Sequence, residues 1–336
     1  MTVHLPTIKQ LQYLVALRKH GHFGKAADSC FVTQSTLSAG LRDLETLLGI
    51  TLVERTRRVV RFTALGEKIA DKAVRTLREA EELADLARTE GKPLHGELRM
   101  GVIPTIAPFL LPAMLPRLRS EWPDLKLYLR EETSQAACDA LHRGQLDCIL
   151  LATPFACGDV DRAALFDDRL FVAFPHGEAP RAKAIEADAI DENRLLLLED
   201  GHCLKDHALA ACNRPELRTE AAMMGTSLHT LVQMVDNGLG VTFVPAMAIE
   251  AGILDGTAIE TLPLLAEQGF RRIALVWRRS SPREKEFQLL AGTLRQIASD
   301  VIPGLRGSSI GSAAAPREGG EKRDAAAKAT AVEPVV

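Results

Sequence analysis

Two cysteines in one short segment could carry reversible thiol–disulfide chemistry. Cys203 and Cys212 stand nine residues apart, in a segment that also contains His202, Lys205 and His207. If the segment is helical, nine residues advance the chain by about 13.5 Å and turn it about two and a half times, so the two thiols face opposite sides. A disulfide requires Cα atoms within roughly 7 Å of each other. A bond between these cysteines would therefore require the segment to unwind. A change of structure on oxidation is what a redox switch needs.

The composition is that of a soluble globular protein with more than one domain. The chain has 336 residues, of which 46% are hydrophobic and 25% are charged, so we expect two or three domains. No basic stretch precedes an apolar segment at the N-terminus, and no uncharged apolar run approaches about 18 residues. We therefore expect no secretory signal and no membrane span, and we predict a cytoplasmic protein.

The six cysteines are scattered along the chain: Cys30, Cys138, Cys148, Cys157, Cys203 and Cys212. Because cytosolic thiols are held reduced, we expect no structural disulfide and interpret any disulfide as transient. Cys138 and Cys148 lie in apolar runs, where they are predicted to pack as small hydrophobic residues. Cys30 and Cys157 have no informative context.

Charge is distributed unevenly between the two ends of the chain. Residues 1–62 contain nine Lys/Arg and four Asp/Glu, a net charge of +5. The remaining residues contain 32 Lys/Arg and 40 Asp/Glu, a net charge of −8. A basic N-terminal region on an acidic body indicates contact with nucleic acid at that end.

The basic region has the pattern of a winged helix-turn-helix. Apolar spacing predicts helices over 7–20 and from Phe23, and a third helix that Thr33 caps and Gly49 ends. Residues 52–62 predict a short hairpin wing. The outward face of the third helix carries groups that can hydrogen-bond base edges in a major groove, and the wing arginines would neutralise phosphates. The predicted DNA-binding residues are Gln34, Ser35, Thr36, Ser38, Arg42, Arg55, Arg57 and Arg58.

Three further patterns follow the wing. Residues 63 to about 90 predict one long helix, whose apolar stripe needs cover from a second subunit. After Pro93 strands and helices alternate, which predicts α/β layers with mainly parallel sheets. The tail from about Arg306 is rich in Ala, Gly, Ser and charged residues, and it is predicted to be disordered.

These N-terminal motifs resemble those of LysR-type transcriptional regulators. The segments that carry the resemblance are Phe23–Ala27, Val32–Ser38, Leu44–Glu45, Leu52–Arg55 and Phe62–Glu67. The family pattern usually has proline where this chain has Ser35, which leaves the start of the third helix less preorganised. The resemblance implies an α/β multidomain fold with a winged helix-turn-helix, a linker helix that dimerises, and a two-lobed effector domain similar to periplasmic binding proteins.

On this resemblance we expect four regions: the DNA-binding domain at 1–62, the linker helix at 63–92, the effector domain at 93–305 and a disordered tail at 306–336. Lobe I of the effector domain would take about 93–165 and 270–305, and lobe II about 166–269. The family also implies binding to double-stranded promoter DNA as a homodimer or homotetramer, with RNA polymerase as a further partner.

Later segments resemble the peroxide-sensing members of that family. They are Gly101–Thr105, Gly144–Cys148, Leu198–Cys203, Thr226–Leu228 and Pro245–Ala246. This similarity implies that hydrogen peroxide is the effector, that a thiol reductant resets the protein, and that oxidative-stress genes are its targets. It also implies that three residues contact the peroxide: Thr105, Ser134 and Arg271. Thr133 is the alternative to Ser134, and Arg272 is the alternative to Arg271. The alternative interpretations are that Thr105 only caps a helix and that the arginine is only a surface residue of an edge strand.

The residues around Cys203 distinguish it from Cys212. Peroxide reacts with thiolate, so a sensor cysteine needs a lowered pKa and some access. Asp200 is a predicted N-cap, which places Cys203 in a first helical turn that favours an anion, and His202 and Lys205 add potential positive charge. We therefore predict that Cys203 is the peroxidatic thiol and that Cys212 resolves its sulfenic acid.

Three other interpretations remain open from the sequence. His202, Cys203, His207 and Cys212 have the ligand types of a zinc site, although their spacing is not that of a zinc knuckle. A thiol peroxidase or disulfide oxidoreductase is the enzyme alternative, which the DNA-binding pattern disfavours. A regulator that senses a small organic ligand would leave the cysteines incidental. We predict a non-enzymatic regulator without a metal or cofactor.

Overall fold

The structure is a computed structural model that describes residues 5–55, 60–88, 93–211, 224–266 and 269–301. Arg57, Arg58, Cys212 and the tail at 306–336 lie outside the described residues. Among the described residues, no helix combines the length and apolar character that crossing a membrane requires.

The N-terminal region is a winged helix-turn-helix. Its elements are α1 (Ile8–His20), α2 (Phe23–Ser29), α3 (Gln34–Leu48), β1 (Val53–Arg55) and β2 (Val60–Phe62), and the two strands pair antiparallel. Thr33 caps α3 by accepting the Thr36 N–H, and Gly49 ends it at φ 66°, a conformation that favours glycine. Both end signals are therefore confirmed.

Small side chains let the first helices pack closely. Ala26 and Ala27 of α2 are fully buried against the leucines of α1 and α3, including Leu14, Leu37 and Leu41. Burial of each leucine contributes about 1.5–3 kcal/mol. This core fixes the orientation of α3, whose opposite face is exposed.

The linker helix α4 (Ala64–Arg88) leaves the wing and reaches the effector domain. It packs on α1, where Arg18 pairs with Asp71 at 2.7 Å. Farther along, Arg78 pairs with the buried Asp147, which also accepts the Arg99 N–H at 2.8 Å. Apolar side chains such as Leu65 and Leu83 remain exposed along α4, so the prediction that a second subunit covers this helix stays a prediction.

The effector domain alternates strands and helices. Its elements are β3 (Gly96–Val102), α5 (Ala107–Glu121), β4 (Leu125–Glu131), α6 (Ser134–His142), β5 (Cys148–Thr153), β6 (Val160–Phe174), β7 (Ile185–Glu186), β8 (Leu197–Leu198), α7 (Cys203–Ala211), β9 (Met224–Gly225), α8 (Leu228–Asp236), β10 (Thr242–Pro245), α9 (Ala246–Glu250), β11 (Glu260–Leu265), β12 (Phe270–Arg278) and α10 (Glu284–Val301).

The main sheet has strand order β4-β3-β5-β12-β6-β11-β7, and β10 also pairs with β6. Strand β3 is parallel to β4 and β5, but β12 is antiparallel to both β5 and β6, and β10 and β11 are antiparallel to β6. The prediction of mainly parallel sheets was wrong, because β12 returns from the far end of the chain between β5 and β6. The N-terminal part of β6 pairs with β12 and its C-terminal part with β10 and β11, so one strand joins two strand groups. The predicted fold class, with its two-lobed α/β effector domain, is confirmed.

The effector domain also contains a disulfide that sequence reasoning did not expect. Cys138 of α6 is bonded to Cys157, which follows β5, with Cα atoms 5.4 Å apart. The expectation of a free, purely hydrophobic Cys138 was therefore wrong. The segment after β5 folds back over α6, where His142 Nε2 lies 2.5 Å from the Cys157 carbonyl oxygen. Cys148 is buried in β5, as predicted.

Candidate redox site and DNA-binding surface

Cys203 is the first residue of α7 and is only 1% exposed. Its backbone N–H donates to Ser134 Oγ at 3.4 Å. The Ser134 N–H in turn donates to the Gly201 carbonyl at 3.1 Å. The start of α6 and the start of α7 are therefore tied to each other at the cysteine, and α7 is helical from Cys203 through Ala211.

Arg271 of β12 is fully buried beside this junction. Its Nε and Nη2 donate to Asp168 Oδ2 at 3.0 and 2.9 Å, while Nη1 donates to Thr105 Oγ1 at 2.7 Å and Nη2 also to the Thr105 carbonyl at 2.9 Å. Asp168 Oδ1 accepts the Met247 N–H at 2.9 Å. Burial raises the pKa of the Asp168 carboxyl, and the Arg271 charge and the Met247 amide oppose that rise. These bonds fix the plane and position of the guanidinium.

Burial raises the pKa of the Cys203 thiol above its ordinary value. The Ser134 hydroxyl, the Arg271 charge and a backbone hydrogen bond with Ala152 oppose that rise, because each stabilises the thiolate. Burial outweighs them in this conformation. The thiol is therefore protonated at neutral pH, and the groups that would stabilise its anion already surround it.

The sequence neighbours of Cys203 do not supply the expected positive charge. Burial lowers the pKa of His202, which keeps the imidazole neutral near pH 7. Lys205 Nζ binds Asp200 Oδ1 at 2.6 Å, so its charge is compensated. Asp200 is not the N-cap, because α7 begins at Cys203 and His202 precedes it directly. The expectation of a lowered thiol pKa was therefore wrong for this conformation, because burial outweighs the groups that favour the thiolate, and those groups are distant in sequence.

His207 lies one helical turn after Cys203 and is buried. Its Nε2 is 2.9 Å from the Pro154 carbonyl oxygen, so Nε2 carries the hydrogen and donates. Burial lowers the pKa of this imidazole, and among the described residues its buried Nδ1 has no hydrogen-bond partner. Helix α7 is therefore attached at two points, to α6 through Ser134 and to the segment after β5 through Pro154. The sequence offered His207 only as a zinc ligand.

The structure separates the rival residues by position. Ser134 contacts the Cys203 amide, whereas the Thr133 side chain makes no hydrogen bond that caps α6. Arg271 is buried against Thr105, whereas Arg272 is 46% exposed and binds Asp167 at 2.7 and 3.0 Å. Thr105 is not a helix cap, since the residue before α5 is Ile106. Thr105, Ser134, Arg271 and Cys203 thus form one polar cluster, and their roles toward peroxide stay predictions.

The zinc interpretation finds no support in the described part of the chain. Within it, no group of three or more His, Cys, Asp or Glu side chains could hold a metal ion. His207 is engaged with Pro154 and Cys203 with Ser134. The fourth proposed ligand, Cys212, lies outside the described residues.

The predicted DNA-contacting face of α3 is open. Gln34, Ser35, Thr36 and Arg42 are exposed, and Ser38 is half-buried. The Ser35 and Thr36 hydroxyls each lie 2.8 Å from Thr33 Oγ1, so they form a hydroxyl cluster at the helix start. Thr33 Oγ1 also accepts the Thr36 N–H, so the start of α3 is capped although Ser35 stands where the family usually has proline. Arg55 is the last residue of β1, and the other two wing arginines are outside the described residues.

One exposed residue near α3 was missed. Phe31, in the turn between α2 and α3, is 96% exposed and has a φ of 55°. A left-handed backbone is uncommon for a residue with a large side chain. No sequence signal indicated this conformation.

Two family models match the chain. The model described as the LysR substrate binding domain matches residues 91–299, and the bacterial regulatory helix-turn-helix protein of the LysR family matches residues 8–67. The DNA-binding transcriptional dual regulator OxyR of Escherichia coli K12 is 40% identical over 291 residues, which cover 86% of this chain and 94% of the relative. The HTH-type transcriptional regulator EstR of Acinetobacter baylyi is 39% identical over 297 residues, with 88% and 99% covered.

Solved structures give the same relationship. A full-length OxyR variant from Pseudomonas aeruginosa matches with a TM-score of 0.72 and 36% identity, covering 87% of this chain and 95% of that one. A hydrogen-peroxide-bound OxyR variant from Corynebacterium glutamicum matches with a TM-score of 0.60 and 33% identity, covering 90% and 95%. The chain therefore belongs to the LysR family of bacterial helix-turn-helix transcription regulators.

Proposed function

We propose that this protein is a hydrogen-peroxide-sensing regulator that binds promoter DNA and switches through a reversible Cys203–Cys212 disulfide. One observation carries the proposal: the Cys203 thiol is buried between Ser134 and the Arg271–Thr105 contact, where the polar groups favour its anion. The OxyR relatives, one of them solved with hydrogen peroxide bound, support the same effector.

The surrounding groups suit attack on a small peroxide. As the Cys203 thiolate attacks one peroxide oxygen, the O–O bond breaks, and the departing hydroxide takes up the thiol proton and leaves as water. Ser134 and Arg271 stabilise the thiolate that burial alone disfavours. Thr105 Oγ1 accepts from Arg271, which leaves its hydroxyl hydrogen to donate to a peroxide oxygen. Cys203 becomes a sulfenic acid, and attack by the Cys212 thiol forms the disulfide and releases a second water.

Helix α7 makes this oxidation a conformational event. Eight residues of helical rise separate Cys203 from Ala211, about 12 Å, which is too far for a disulfide with the next residue. Closing the bond therefore requires α7 to unwind and to leave Ser134 and Pro154. A loop of this size offsets part of that loss, about 2.5–3 kcal/mol in the chain-entropy account, so the two states can lie close in energy.

The proposed switch acts on the paired DNA-binding domains of an oligomer. We infer domains at 1–62, 63–92 and 93–305, the last with lobes at about 93–165 with 270–305 and at about 166–269. The protein would work in the cytoplasm as a homodimer or homotetramer, contact RNA polymerase at peroxide-defence promoters, and be reset by a thiol reductant. Arg78, bonded to Asp147, gives the linker helix a direct contact with the effector domain.

Family similarity alone does not choose the effector, since EstR and the E. coli OxyR are about equally similar to this chain, at 39% and 40% identity. The Cys203 site favours peroxide over an organic ligand because its polar groups surround a buried thiol. We propose no enzymatic turnover, since one oxidation per chain is sufficient for a signal.

Peptide mapping without reductant tests this function. The reduced full-length protein receives about one equivalent of peroxide, and promoter DNA is footprinted on the same sample. We expect a Cys203–Cys212 link and an altered footprint, both lost in Cys203→Ser and both kept in the control Cys30→Ser. If both thiols stay free and the footprint is unchanged, the proposal is wrong, and sustained peroxide consumption with a thiol donor would instead indicate an enzyme.

A further inference from the structure

A second cysteine pair lies close to the redox site. Cys138 and Cys157 are joined by a disulfide, and they are 2% and 6% exposed. Neither cysteine takes part in the proposed Cys203–Cys212 switch. Their bond closes a loop between α6 and the segment that follows β5.

This bond joins two of the elements that hold α7. Cys138 lies four residues after Ser134 on α6, hence on the same side of that helix, and Ser134 accepts the Cys203 amide. Cys157 lies three residues after Pro154, whose carbonyl accepts from His207. The disulfide therefore links the element that holds the first residue of α7 to the segment that holds its second turn.

The setting argues against a permanent cross-link. A regulator that binds chromosomal DNA works where cellular thiols are held reduced, and disulfides that form there are usually transient. The bond also lies within a large hydrophobic core, which can stabilise a domain of this size without covalent help. By contrast, Cys148, the free cysteine of β5, is fully buried, and burial raises the pKa of its thiol far above its ordinary value.

We propose that Cys138 and Cys157 form a second redox-active dithiol, oxidised by hydroperoxides, whose state governs how readily α7 unwinds. The proposal rests on the proposed function, because it assigns the pair an effect on the Cys203–Cys212 switch. With the bond closed, both attachments of α7 are held in place and unwinding is opposed. With the bond open, the covalent link between α6 and the segment after β5 is lost and weaker contacts such as that of His142 with the Cys157 carbonyl remain, so α7 leaves them more readily.

The oxidation balances with a hydroperoxide alone. The thiolate of Cys157, the less buried of the two residues, attacks the terminal oxygen of the hydroperoxide, and the O–O bond breaks. The products are a Cys157 sulfenic acid and an alkoxide or hydroxide, which takes up the thiol proton. The Cys138 thiol then attacks the sulfenic sulfur, the S–S bond forms and the oxygen leaves as water. Two thiols are oxidised, and one hydroperoxide is reduced to an alcohol, or to water when the oxidant is hydrogen peroxide, plus one further water.

The first measurement isolates this pair from the sensor cysteine. Full-length Cys203→Ser is reduced, treated with hydrogen peroxide, alkylated and mapped, with circular dichroism recorded at each stage. We expect the Cys138–Cys157 link to appear with peroxide and to disappear with dithiothreitol while the fold persists. A link that resists reductant until the protein unfolds, or thiols that stay free in excess peroxide, would overturn the proposal.

The second measurement tests the coupling. The rate of Cys203–Cys212 closure is compared in the unsubstituted chain with its second pair oxidised, in Cys138→Ala, in Cys157→Ala and in the control Cys148→Ala. We expect at least about fivefold faster closure in both pair variants and no change in the control. Equal rates would overturn the coupling. Absence of Cys203 oxidation in every variant would contradict the proposed function instead, and the first measurement would still decide the chemistry of the pair.

Discussion

Arg271 and Asp168 form an ion pair in which both side chains are essentially inaccessible to solvent, with Nε and Nη2 of the arginine 3.0 and 2.9 Å from Oδ2 of the aspartate. The pair joins β12 to β6 and leaves the remaining arginine nitrogen directed at Thr105. A buried charge pair is costly to assemble and seldom adds stability over apolar packing. The pair holds the Arg271 charge at a position where it opposes the rise in the pKa of the Cys203 thiol.

Removing this charge should slow the oxidation of Cys203. Arg271→Gln combined with Asp168→Asn keeps a neutral hydrogen-bonding pair and avoids leaving one buried charge unpaired. The loss of the nearby charge raises the pKa of the thiol further, so we expect at least about a tenfold lower rate constant with hydrogen peroxide. Stopped-flow kinetics in a Cys212→Ser background measures the first step alone.

The neighbouring surface pair supplies a matched control. Arg272→Gln with Asp167→Asn removes an equivalent pair from the exposed side of the same strands, and we expect a rate within about twofold of the parent protein. Equal slowing by both double variants would show that the arginine acts only through stability.

The pH dependence of this rate follows from the raised pKa of Cys203. Because burial keeps the thiol protonated at neutral pH, the thiolate fraction and the rate constant should rise about tenfold per pH unit from about pH 6 to 8 without a plateau. Ser134→Ala should move the profile to higher pH, since it removes a hydrogen bond that favours the anion, whereas Thr133→Val should not. A plateau below pH 7 would mean that the thiol is already ionised, contrary to this account.

Acid should destabilise the effector domain through two buried histidines. Burial lowers the pKa of His202 and His207, so below about pH 6.5 the unfolded state binds protons that the native state does not. Stability is therefore full above that pH and falls as pH decreases, by up to about 1 kcal/mol per histidine at pH 5.5. Urea unfolding at pH 7.5 and 5.5 should give a smaller difference for His207→Gln than for the parent. The exposed control His176→Gln should leave the difference unchanged, and an unchanged difference in His207→Gln would refute the assignment.

The exposed face of α3 should determine sequence preference. Gln34 lies at the start of α3 with its side chain exposed, where an amide can pair with an adenine edge. On DNA selected from random sequence by the parent protein, Gln34→Ala should lose about 1–3 kcal/mol of binding and relax the preference at one base pair. Thr46→Ala, at the exposed C-terminal end of α3, serves as the control. Identical preferences for both variants would place the base contacts elsewhere.

The local features of this fold were predictable because they depend on residues close in sequence. Thr33 and Gly49 mark the ends of α3 through a hydroxyl cap and a left-handed backbone, and both effects act within a few residues. The helical start at Cys203 was not located in this way, since Asp200, the predicted N-cap, lies three residues before α7 and binds Lys205 instead. Thr105, Ser134 and Arg271 were identified only through family resemblance, since a turn, α6 and β12, which are far apart in sequence, bring them to Cys203.

The remaining features depend on contacts between distant segments. Asp168 was not singled out, because a carboxylate in a strand resembles a surface residue until its partner on β12 is known. The Cys138–Cys157 bond depends on the fold-back after β5, which spacing does not specify. For the same reason, the alternation of strands and helices did not predict that β12 inserts antiparallel between β5 and β6. The residues next to His202 in sequence did not predict that its imidazole is neutral.

The unwinding of α7 on oxidation is the central claim, and amide hydrogen exchange over residues 203–211 tests it most directly. The reduced protein and the same sample after about one equivalent of peroxide are compared, with disulfides mapped in parallel. We predict that the amides of α7 are protected in the reduced protein and lose protection together as the Cys203–Cys212 link forms. A sample in which that link is complete while α7 keeps its protection would contradict the account.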